Sequence, residues 1–548
     1  MRFFKGGKKR QAGCLTEIVD GLLKSPAVSG APVEDFYLKT RPDTDDVVWW
    51  GGEWYPVSWL RHMLTIGLTG AGKTLLTHIT LASVLESIAP GTDRRVVIFD
   101  TKGDTLGLLE GLGIKYTLMN INDVRASSWD IAADFQDYDK VIELAHILLP
   151  QRGGGESVFF QDAARDIISA IIMSFIFRHG RFWGLHDVFN AALSDVETLK
   201  EIILRYPRGQ DVINAYFDTE ADETLDNIRM QIATQLLPLM LPAAHSQWGA
   251  KKGRTFSLTE FLSSEGVLVV GQDVTAREAS NPLIRAMFHR LIQLLSGSRE
   301  VKLDKETERT FIFLDEARFF GKMPGLLDAL TFTRSKGGIV SIDVQGKEGF
   351  SSVYGEQAAT EIFNSCKYIT LLQVRGQQTV QWCQSLFGTV ERHEENLSTS
   401  YGSQGVSVTS NLQRYTRPMF FDSDFLSISE PSREYGLDGF FISPDFTGDP
   451  RLHLPGDELE ALKPFIKKVP SQLSKPKHVK LPQPWTEKER ERLVFGRTVR
   501  KVARPKNRYC SPKAVYSELS SEIRRCMEES LVGDVWNQVY EVYNRLVT

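Results

Sequence analysis

The chain has 548 residues, of which 42% are hydrophobic, 24% charged and 10% aromatic. This composition is typical of a well-packed soluble protein and excludes both an intrinsically disordered chain and a small disulfide-stabilised scaffold. The formal net charge is −4, but residues 463–513 contain sixteen Lys and Arg against three Glu. The uneven charge predicts a basic tail on an acidic body.

The sequence predicts a cytoplasmic protein without a transmembrane segment of its own. Its five cysteines are an odd number without a C-x-x-C pair, which is typical of a reducing compartment. The basic N-terminus is not followed by the apolar stretch of a signal peptide. The longest charge-free apolar run, residues 167–177, is shorter than the roughly 20 residues that span a bilayer.

Short apolar runs separated by helical patterns dominate the first half of the chain. Residues 47–55 predict two short strands around a Gly-Gly turn. Four continuous apolar runs follow, at residues 63–66, 96–99, 266–270 and 311–314, and a helix is predicted from Lys73 to about Glu86. Runs of this kind indicate parallel strands buried on both faces, so we expect an α/β fold with a parallel central sheet.

Helical spacing replaces the strand pattern between residues 178 and 255, which predicts an inserted all-α domain. Another helix is expected to begin at Ser280 or Asn281, with Pro282 in its first turn. The Ser- and Gly-rich residues 398–410 predict a mobile loop. The domain prediction is therefore an N-terminal extension (1–46), a nucleotide-binding domain in two parts (47–177 and 256–462), the all-α insertion (178–255) and a basic linker with a helical tail (463–548).

A complete G-x-x-x-x-G-K-T motif lies between the predicted strand at 63–66 and the helix at Lys73. This strand-loop-helix context is the one that confirms a phosphate-binding loop. Its glycines allow the backbone to wrap around phosphate, Lys73 supplies a positive charge to the outer phosphates, and Thr74 supplies a hydroxyl for Mg²⁺. The predicted nucleotide-binding residues are Gly67, Leu68, Thr69, Gly70, Ala71, Gly72, Lys73 and Thr74.

Acidic residues should complete such a site at the tip of another buried strand. Asp315 and Glu316 directly follow the apolar run at 311–314. We expect Asp315 to orient Mg²⁺ and Glu316 to act as the general base that polarises the attacking water. Gln345 follows a further apolar run and could sense the γ-phosphate, although it could also be a surface amide.

Asp100 ends the strand predicted at 96–99 and begins the sequence Asp-Thr-Lys-Gly-Asp. The carboxyl ends of parallel strands are where open α/β sheets bind their ligands, which makes Asp100 a candidate nucleotide-binding residue. The same composition is also typical of an ordinary turn.

Taken together, these motifs resemble those of type IV secretion coupling proteins, the conjugation ATPases of the HerA–FtsK superfamily. The resemblance is carried by the phosphate loop after His62 and by four further segments, residues 100–104, 159–165, 314–317 and 334–338. It covers roughly residues 47–455, and apart from the phosphate loop its motifs are degenerate.

The resemblance implies a RecA-like P-loop NTPase core bearing the all-α domain, assembled as a homo-hexamer that uses ATP and Mg²⁺ to move DNA. The family links DNA and relaxosome proteins to a membrane-embedded secretion channel in conjugation. In such rings an arginine from the next subunit reaches the nucleotide, and Arg334 and Arg375 are the candidates here. Most members begin with membrane-spanning helices, and the sequence predicts none in this chain. We therefore expect either a protein that a membrane partner recruits to the inner membrane or one that serves a related task without a secretion channel.

Three functional interpretations remain open from the sequence. The first is a conjugative translocase that passes DNA, with single-stranded DNA favoured. The second is a pump for double-stranded DNA, and the third is a non-hydrolysing receptor for secreted proteins or a relaxase. The basic residues 463–513 contain no groove-binding motif, so they would contact phosphate rather than bases. They could also bind an acidic protein surface or stay solvated.

Overall fold

The structure is a computed structural model of the chain, and the residues that it describes are 46–151, 157–217, 222–272, 277–302, 307–402, 405–444, 449–461, 469–471 and 481–495. All of them belong to one structural unit, residues 1–496. The predicted N-terminal extension, apart from Asp46, and the predicted helical tail beyond residue 496 lie outside the described residues.

A nine-stranded sheet of order β15-β14-β11-β3-β10-β9-β4-β8-β5 forms the centre of the fold. Seven of its strands are parallel, and β14 and β15 extend one edge in antiparallel pairing. The strands of the described chain are β1 (Val47–Trp50), β2 (Glu53–Pro56), β3 (Met63–Ile66), β4 (Arg94–Asp100), β5 (Thr117–Met119), β6 (Ser128–Trp129), β7 (Thr255–Phe256), β8 (Gly266–Gly271), β9 (Arg309–Leu314), β10 (Gly338–Val344), β11 (Tyr368–Leu371), β12 (Thr389–Gly402), β13 (Gly405–Pro418), β14 (Leu437–Ile442) and β15 (Arg451–Leu454).

The central strands are buried on both faces, as their apolar sequences predicted. Every residue of β3, β4, β9, β10 and β11 is buried. The four apolar runs found in the sequence all lie in this sheet. The prediction of an α/β fold with a parallel central sheet is therefore confirmed, with the antiparallel edge as an addition.

Helices cover both faces of the sheet, and α1 has the limits expected from the sequence. The helices of the described chain are α1 (Lys73–Glu86), α2 (Asp104–Gly111), α3 (Ile131–Asp134), α4 (Tyr138–Leu148), α5 (Ser157–His179), α6 (Leu185–Ala192), α7 (Val196–Ile203), α8 (Gly209–Tyr216), α9 (Asp222–Leu236), α10 (Met240–Lys252), α11 (Leu258–Leu262), α12 (Arg277–Ser296), α13 (Leu326–Phe332), α14 (Lys347–Tyr354), α15 (Glu356–Ser365), α16 (Gln377–Ser385), α17 (Asp422–Leu426), α18 (Gly456–Ala461) and α19 (Glu487–Leu493).

Helices α3–α10 form a helical layer that leaves the core after β6 and returns to it at β7. These two short strands pair in parallel, so the chain leaves and returns at the same place. The long helix α5 lies at the centre of the layer, where its alanine, isoleucine and Phe175 side chains are buried against α4, α6, α7, α8 and α9. The boundaries that the sequence assigned to the inserted domain stay predictions.

Two local predictions were wrong. Helix α12 begins at Arg277 rather than at Ser280 or Asn281, so Pro282 lies inside the helix. Proline lacks an N–H and removes one intrahelical hydrogen bond, a loss that the buried apolar face of α12 offsets. Of the residues expected to form a loop at 398–410, residues 398–402 and 405–410 instead belong to β12 and β13, which pair antiparallel.

The described part of the basic C-terminal region packs on the rest of the molecule. Val469 N donates to Gly107 O of α2 at 3.0 Å. Farther along, Trp485 Nε1 donates to Asp187 Oδ1 of α6 at 2.8 Å, and Leu493 of α19 is buried. In the part of the chain that the structure describes, no helix is both long and apolar enough to cross a bilayer.

Candidate functional site

The glycine-rich loop, residues 67–74, lies at the carboxyl end of β3 and leads into α1. Gly67 N donates to Val344 O at 3.2 Å, and Leu68 N donates to Gln373 O at 2.8 Å. Because Val344 ends β10 and Gln373 follows β11, both neighbours of β3 hold the loop in place.

Two glycines give this loop its shape. Gly70 and Gly72 have φ angles of 84° and 96°, in the left-handed region that favours glycine. A Cβ at Gly72 would lie 2.4 Å from Leu437 Cδ1, so a side chain has no room there. The tight turn places Gly72 at the N-cap of α1. The N-terminus of a helix at the end of such a turn is an anion-binding site.

Lys73 is buried at the mouth of the loop. Its Nζ donates to the carbonyl of Gly67 at 2.5 Å and to that of Leu68 at 3.3 Å. The same Nζ lies 3.5 Å from Glu316 Oε1. The ammonium group therefore joins the loop to the acidic pair, which is 243 positions farther along the chain.

The acidic pair follows β9 at the same edge of the sheet. Asp315 Oδ2 accepts a hydrogen bond from Thr101 Oγ1 at 2.9 Å, and burial raises the pKa of Asp315. Glu316 is only 1% exposed, and its φ of 50° places it in the left-handed region, which is rare for a residue with a side chain. Lys102 Nζ lies 3.8 Å from both carboxylates. A strained backbone of this kind is often found at functional sites.

Gln345 joins this cluster from the strand between β3 and β9. It follows β10 directly, and its Nε2 donates to Glu316 Oε1 at 3.1 Å. The other oxygen, Glu316 Oε2, is buried without a hydrogen-bond partner among the described residues. Lys73, Glu316 and Gln345, which the sequence selected separately, therefore meet at one carboxylate.

Asp100 lies at the same edge, but its oxygens are used by the adjacent turn. They accept the backbone N–H groups of Lys102, Gly103 and Thr105 at 3.0, 2.8 and 2.9 Å. Asp100 therefore shapes the turn that begins α2. The next two side chains, Thr101 and Lys102, are the ones that reach the acidic pair.

The two candidate arginines lie at opposite ends of the parallel strands, Arg375 after the carboxyl end of β11 and Arg334 before the amino end of β10. Both are exposed. Arg375 comes two residues after Gln373, whose carbonyl holds the glycine-rich loop. Arg334 precedes β10 at the amino edge. It lies near His62, whose pKa burial and the charge of Arg334 lower to about 4. Neither arginine contacts Lys73 or Glu316 within the described chain.

A family model described as the type IV secretion-system coupling protein DNA-binding domain matches residues 56–437. The chain belongs to this family. The resemblance inferred from the motifs is therefore confirmed. The coupling protein is also 21% identical over 370 residues to coupling protein TraD of Escherichia coli strain K12, a match that covers 65% of this chain and 48% of TraD. The chain thus spans about half the length of that relative.

Solved structures show the same fold for this coupling protein. The unbound monoclinic form of the bacterial conjugative coupling protein TrwBΔN70 has a TM-score of 0.57 and 18% identity, with 78% of this chain and 95% of that chain covered. Plasmid coupling protein TrwB in complex with ADP and Mg²⁺ has a TM-score of 0.56 and 18% identity, with 83% and 98% covered. The predicted RecA-like core with a helical domain is confirmed as a fold by these neighbours.

Several groups at the site of the coupling protein were missed from the sequence. Asp343 of β10 is buried, accepts a hydrogen bond from Thr77 Oγ1 at 2.7 Å, and lines one small cavity with Thr74 and Asp315. Burial raises the pKa of Asp343 to about 7. Arg318 Nη2 donates to Gln345 Oε1 at 3.1 Å. The sequence of β10 gave a signal for Asp343, since this residue places a charge in a largely apolar run.

Proposed function

We propose that this coupling protein is an ATPase that translocates DNA, with single-stranded DNA favoured, and links a relaxosome to a transfer channel in conjugation. The observation that carries the proposal is the approach of Lys73 Nζ to Glu316 Oε1 at 3.5 Å. A phosphate-loop lysine and a buried carboxylate that has one oxygen without a partner among the described residues are two of the groups that nucleotide hydrolysis uses.

The residues at the loop fit a magnesium nucleotide. The left-handed glycines Gly70 and Gly72 form the tight turn before α1, and the hydroxyl of Thr74 and the carboxylate of Asp315 line one cavity. Hydroxyl and carboxylate oxygens are ligands that Mg²⁺ prefers. We propose that residues 67–74 bind the phosphates, that Thr74 and Asp315 hold Mg²⁺, and that Asp100 shapes the neighbouring turn. The metal would neutralise charge on the phosphate oxygens.

Glu316 has the position required of a general base. In the proposed step its Oε2 takes a proton from water, whose oxygen bonds to the terminal phosphorus while the bond to the bridging oxygen breaks, giving ADP and phosphate. Lys73 would stabilise negative charge at the outer phosphates. Gln345 donates a hydrogen bond to the same carboxylate, so it would transmit the change in protonation of Glu316 to β10. Arg375 or Arg334 would act on the site of a neighbouring subunit in a homo-hexamer.

The relatives support the choice of nucleotide and of task. TrwB is known in complex with ADP and Mg²⁺, and with a non-hydrolysable ATP analogue. The matching family model is that of a DNA-binding domain of coupling proteins. On this basis we propose ATP and Mg²⁺ as cofactors and DNA and relaxosome proteins as partners. A partner protein would hold the cytoplasmic protein at a secretion channel of the inner membrane.

The test is the ATPase rate of the purified protein without DNA, with single-stranded DNA and with double-stranded DNA, together with its mass in solution. We expect turnover, stronger stimulation by single-stranded DNA, and a mass that corresponds to a hexamer when nucleotide and DNA are present. Stimulation by double-stranded DNA alone would favour a pump for duplex DNA. Negligible hydrolysis under all conditions would contradict the proposal and favour the receptor, for which removal of residues 463–548 should abolish partner capture.

A further inference from the structure

Arg318 lies two residues after Glu316, in the short helical turn Ala317–Phe320. Its guanidinium packs on the ring of Phe319, with 4.8 Å between Cζ and the ring centroid. Helix α14 closes the other side, where a Cβ at Gly349 would lie 2.6 Å from Arg318 Nη1. The guanidinium therefore occupies a fitted space between the acidic turn and α14.

The contact between Arg318 and Gln345 fixes the orientation of an amide. A guanidinium carries donors only, so it must face the oxygen of the Gln345 side chain, as it does at 3.1 Å. The nitrogen of the same amide then faces Glu316, and it donates to Oε1 at 3.1 Å. If Arg318 were absent, the Gln345 amide would lose the partner that selects this orientation.

As a consequence, the two oxygens of Glu316 have different partners. Oε1 accepts from Gln345 and lies near Lys73. Oε2 is buried and has no hydrogen-bond partner in the residues that the structure describes. A carboxylate held through one oxygen keeps the lone pairs of the other in a constant direction, which is what a general base requires.

We propose that Arg318 is a positioning residue for ATP hydrolysis: it orients the Gln345 amide, which in turn holds Glu316 so that Oε2 faces the attacking water. This inference rests on the proposed function, because it assigns work to Glu316 as the base. In the proposed arrangement Arg318 acts only through Gln345. Its effect is carried by two hydrogen bonds in series.

The first test compares two variants of Arg318 with a matched control. Arg318→Met keeps an apolar stem on Phe319 but removes the donors, and we expect its kcat to fall about tenfold while the KM for ATP stays unchanged. Arg318→Lys keeps a donor and should recover part of this loss. Arg277→Met removes the other guanidinium on the Phe319 ring, 4.2 Å from its centroid. It should keep the wild-type kcat.

A second variant displaces Arg318 without changing its charge. In Gly349→Ala the new methyl group must push the guanidinium away from Gln345, although alanine itself favours the helix. We expect a similar fall in kcat with an unchanged or higher free energy of unfolding. Wild-type turnover in both Gly349→Ala and Arg318→Met would overturn the inference.

Two further measurements separate positioning from general damage. The affinity for ADP with aluminium fluoride, which mimics the transferring phosphoryl group, should fall about tenfold in Arg318→Met, whereas the affinity for ADP should not change. Adding Arg318→Met to Gln345→Leu should cause no further loss of kcat, because the two residues act in series. Equal losses for ADP and the mimic, or additive losses in the double variant, would contradict the inference. Absence of ATPase activity in the wild type would instead refute the proposed function.

Discussion

Two buried carboxylates, Asp134 at the base of the helical layer and Glu316 at the glycine-rich loop, have very different surroundings. Asp134 accepts four hydrogen bonds: from Trp129 Nε1 at 2.6 Å, Leu258 N at 2.7 Å, Thr259 N at 2.9 Å and Thr259 Oγ1 at 2.7 Å. These donors lie on both sides of the point where the chain leaves the core and returns. Asp134 therefore ties the two ends of the helical layer together.

Glu316 accepts one hydrogen bond, from Gln345, and has a buried oxygen with no such partner in the described chain. Its backbone is held in the left-handed region. A buried carboxylate whose oxygens are all bonded fixes structure, whereas a strained one with a free oxygen is available to a reactant. Asp134 therefore stabilises the fold, whereas Glu316 is available for chemistry. Substitution of Asp134 should change the free energy of unfolding, and substitution of Glu316 should change the rate of the reaction.

The largest effect on stability is expected for Asp134→Ala. Four donors would lose their acceptor in a buried place, which should lower the free energy of unfolding by about 4 kcal/mol. Urea unfolding measures this loss, and Asp134→Asn, which keeps one acceptor, should lose less. An unchanged unfolding curve for Asp134→Ala would show that the four hydrogen bonds of Asp134 do not stabilise the fold.

Lys73→Ala should have the opposite pattern. Loss of a buried positive charge at the phosphates should weaken ATP binding by about 100-fold or more, with a small change in the free energy of unfolding. Titration of the protein with a fluorescent ATP analogue gives the affinity. Retention of wild-type affinity would mean that residues 67–74 do not form the nucleotide site.

Asp343 makes the free energy of unfolding depend on pH. The folded protein keeps a proton on this carboxyl up to a pKa of about 7, against 3.8 as its ordinary value. Because the unfolded chain loses that proton first, the contribution of Asp343 to stability is present below about pH 4 and is lost as the pH rises to about 7.

Asp343→Asn stays neutral and can still accept from Thr77. The two pKa values imply about 4 kcal/mol, and we expect about 2 kcal/mol because the surroundings of a buried charge relax. Urea unfolding should show the variant to be more stable than the wild type near pH 8 and equal to it near pH 4. Equal stabilities at both pH values would contradict the buried, protonated state of Asp343.

The smallest effect is expected where the C-terminal region meets the helical layer. Trp485→Phe keeps an aromatic ring but removes the hydrogen bond from Nε1 to Asp187 Oδ1. We expect the free energy of unfolding to fall by about 1 kcal/mol and the ATPase rate to stay unchanged. A larger fall in ATPase rate than in stability would give this contact a functional role.

The local sequence was sufficient to predict those parts of the candidate site that consist of consecutive residues. The loop at residues 67–74 and the pair Asp315–Glu316 follow buried apolar strands, so their place at one edge of a parallel sheet could be predicted. The sheet itself followed from the same runs. By contrast, the predicted helix start at Ser280 or Asn281 was wrong. Pro282 is a local signal for a helix start, but the helix begins at Arg277 because of packing that cannot be read from the sequence.

The remaining contacts could not be predicted because they depend on which strands are neighbours. Gln345 reaches Glu316 since β10 lies beside β9, and Asp343 meets Thr77 since α1 packs over β10. Arg318 and Lys102 belong to turns whose direction is set by tertiary structure. For Arg318 and Lys102, a single sequence gives no signal that distinguishes them from surface charges.

Glu316→Gln distinguishes a chemical role of Glu316 from structural support. Glutamine has nearly the same shape but cannot take a proton from water. Single-turnover ATP hydrolysis, measured beside ATP affinity and urea unfolding, should show a rate at least about 100-fold below wild type, with affinity and stability retained. A Glu316→Gln protein that hydrolyses ATP at the wild-type rate would show that Glu316 is not the general base.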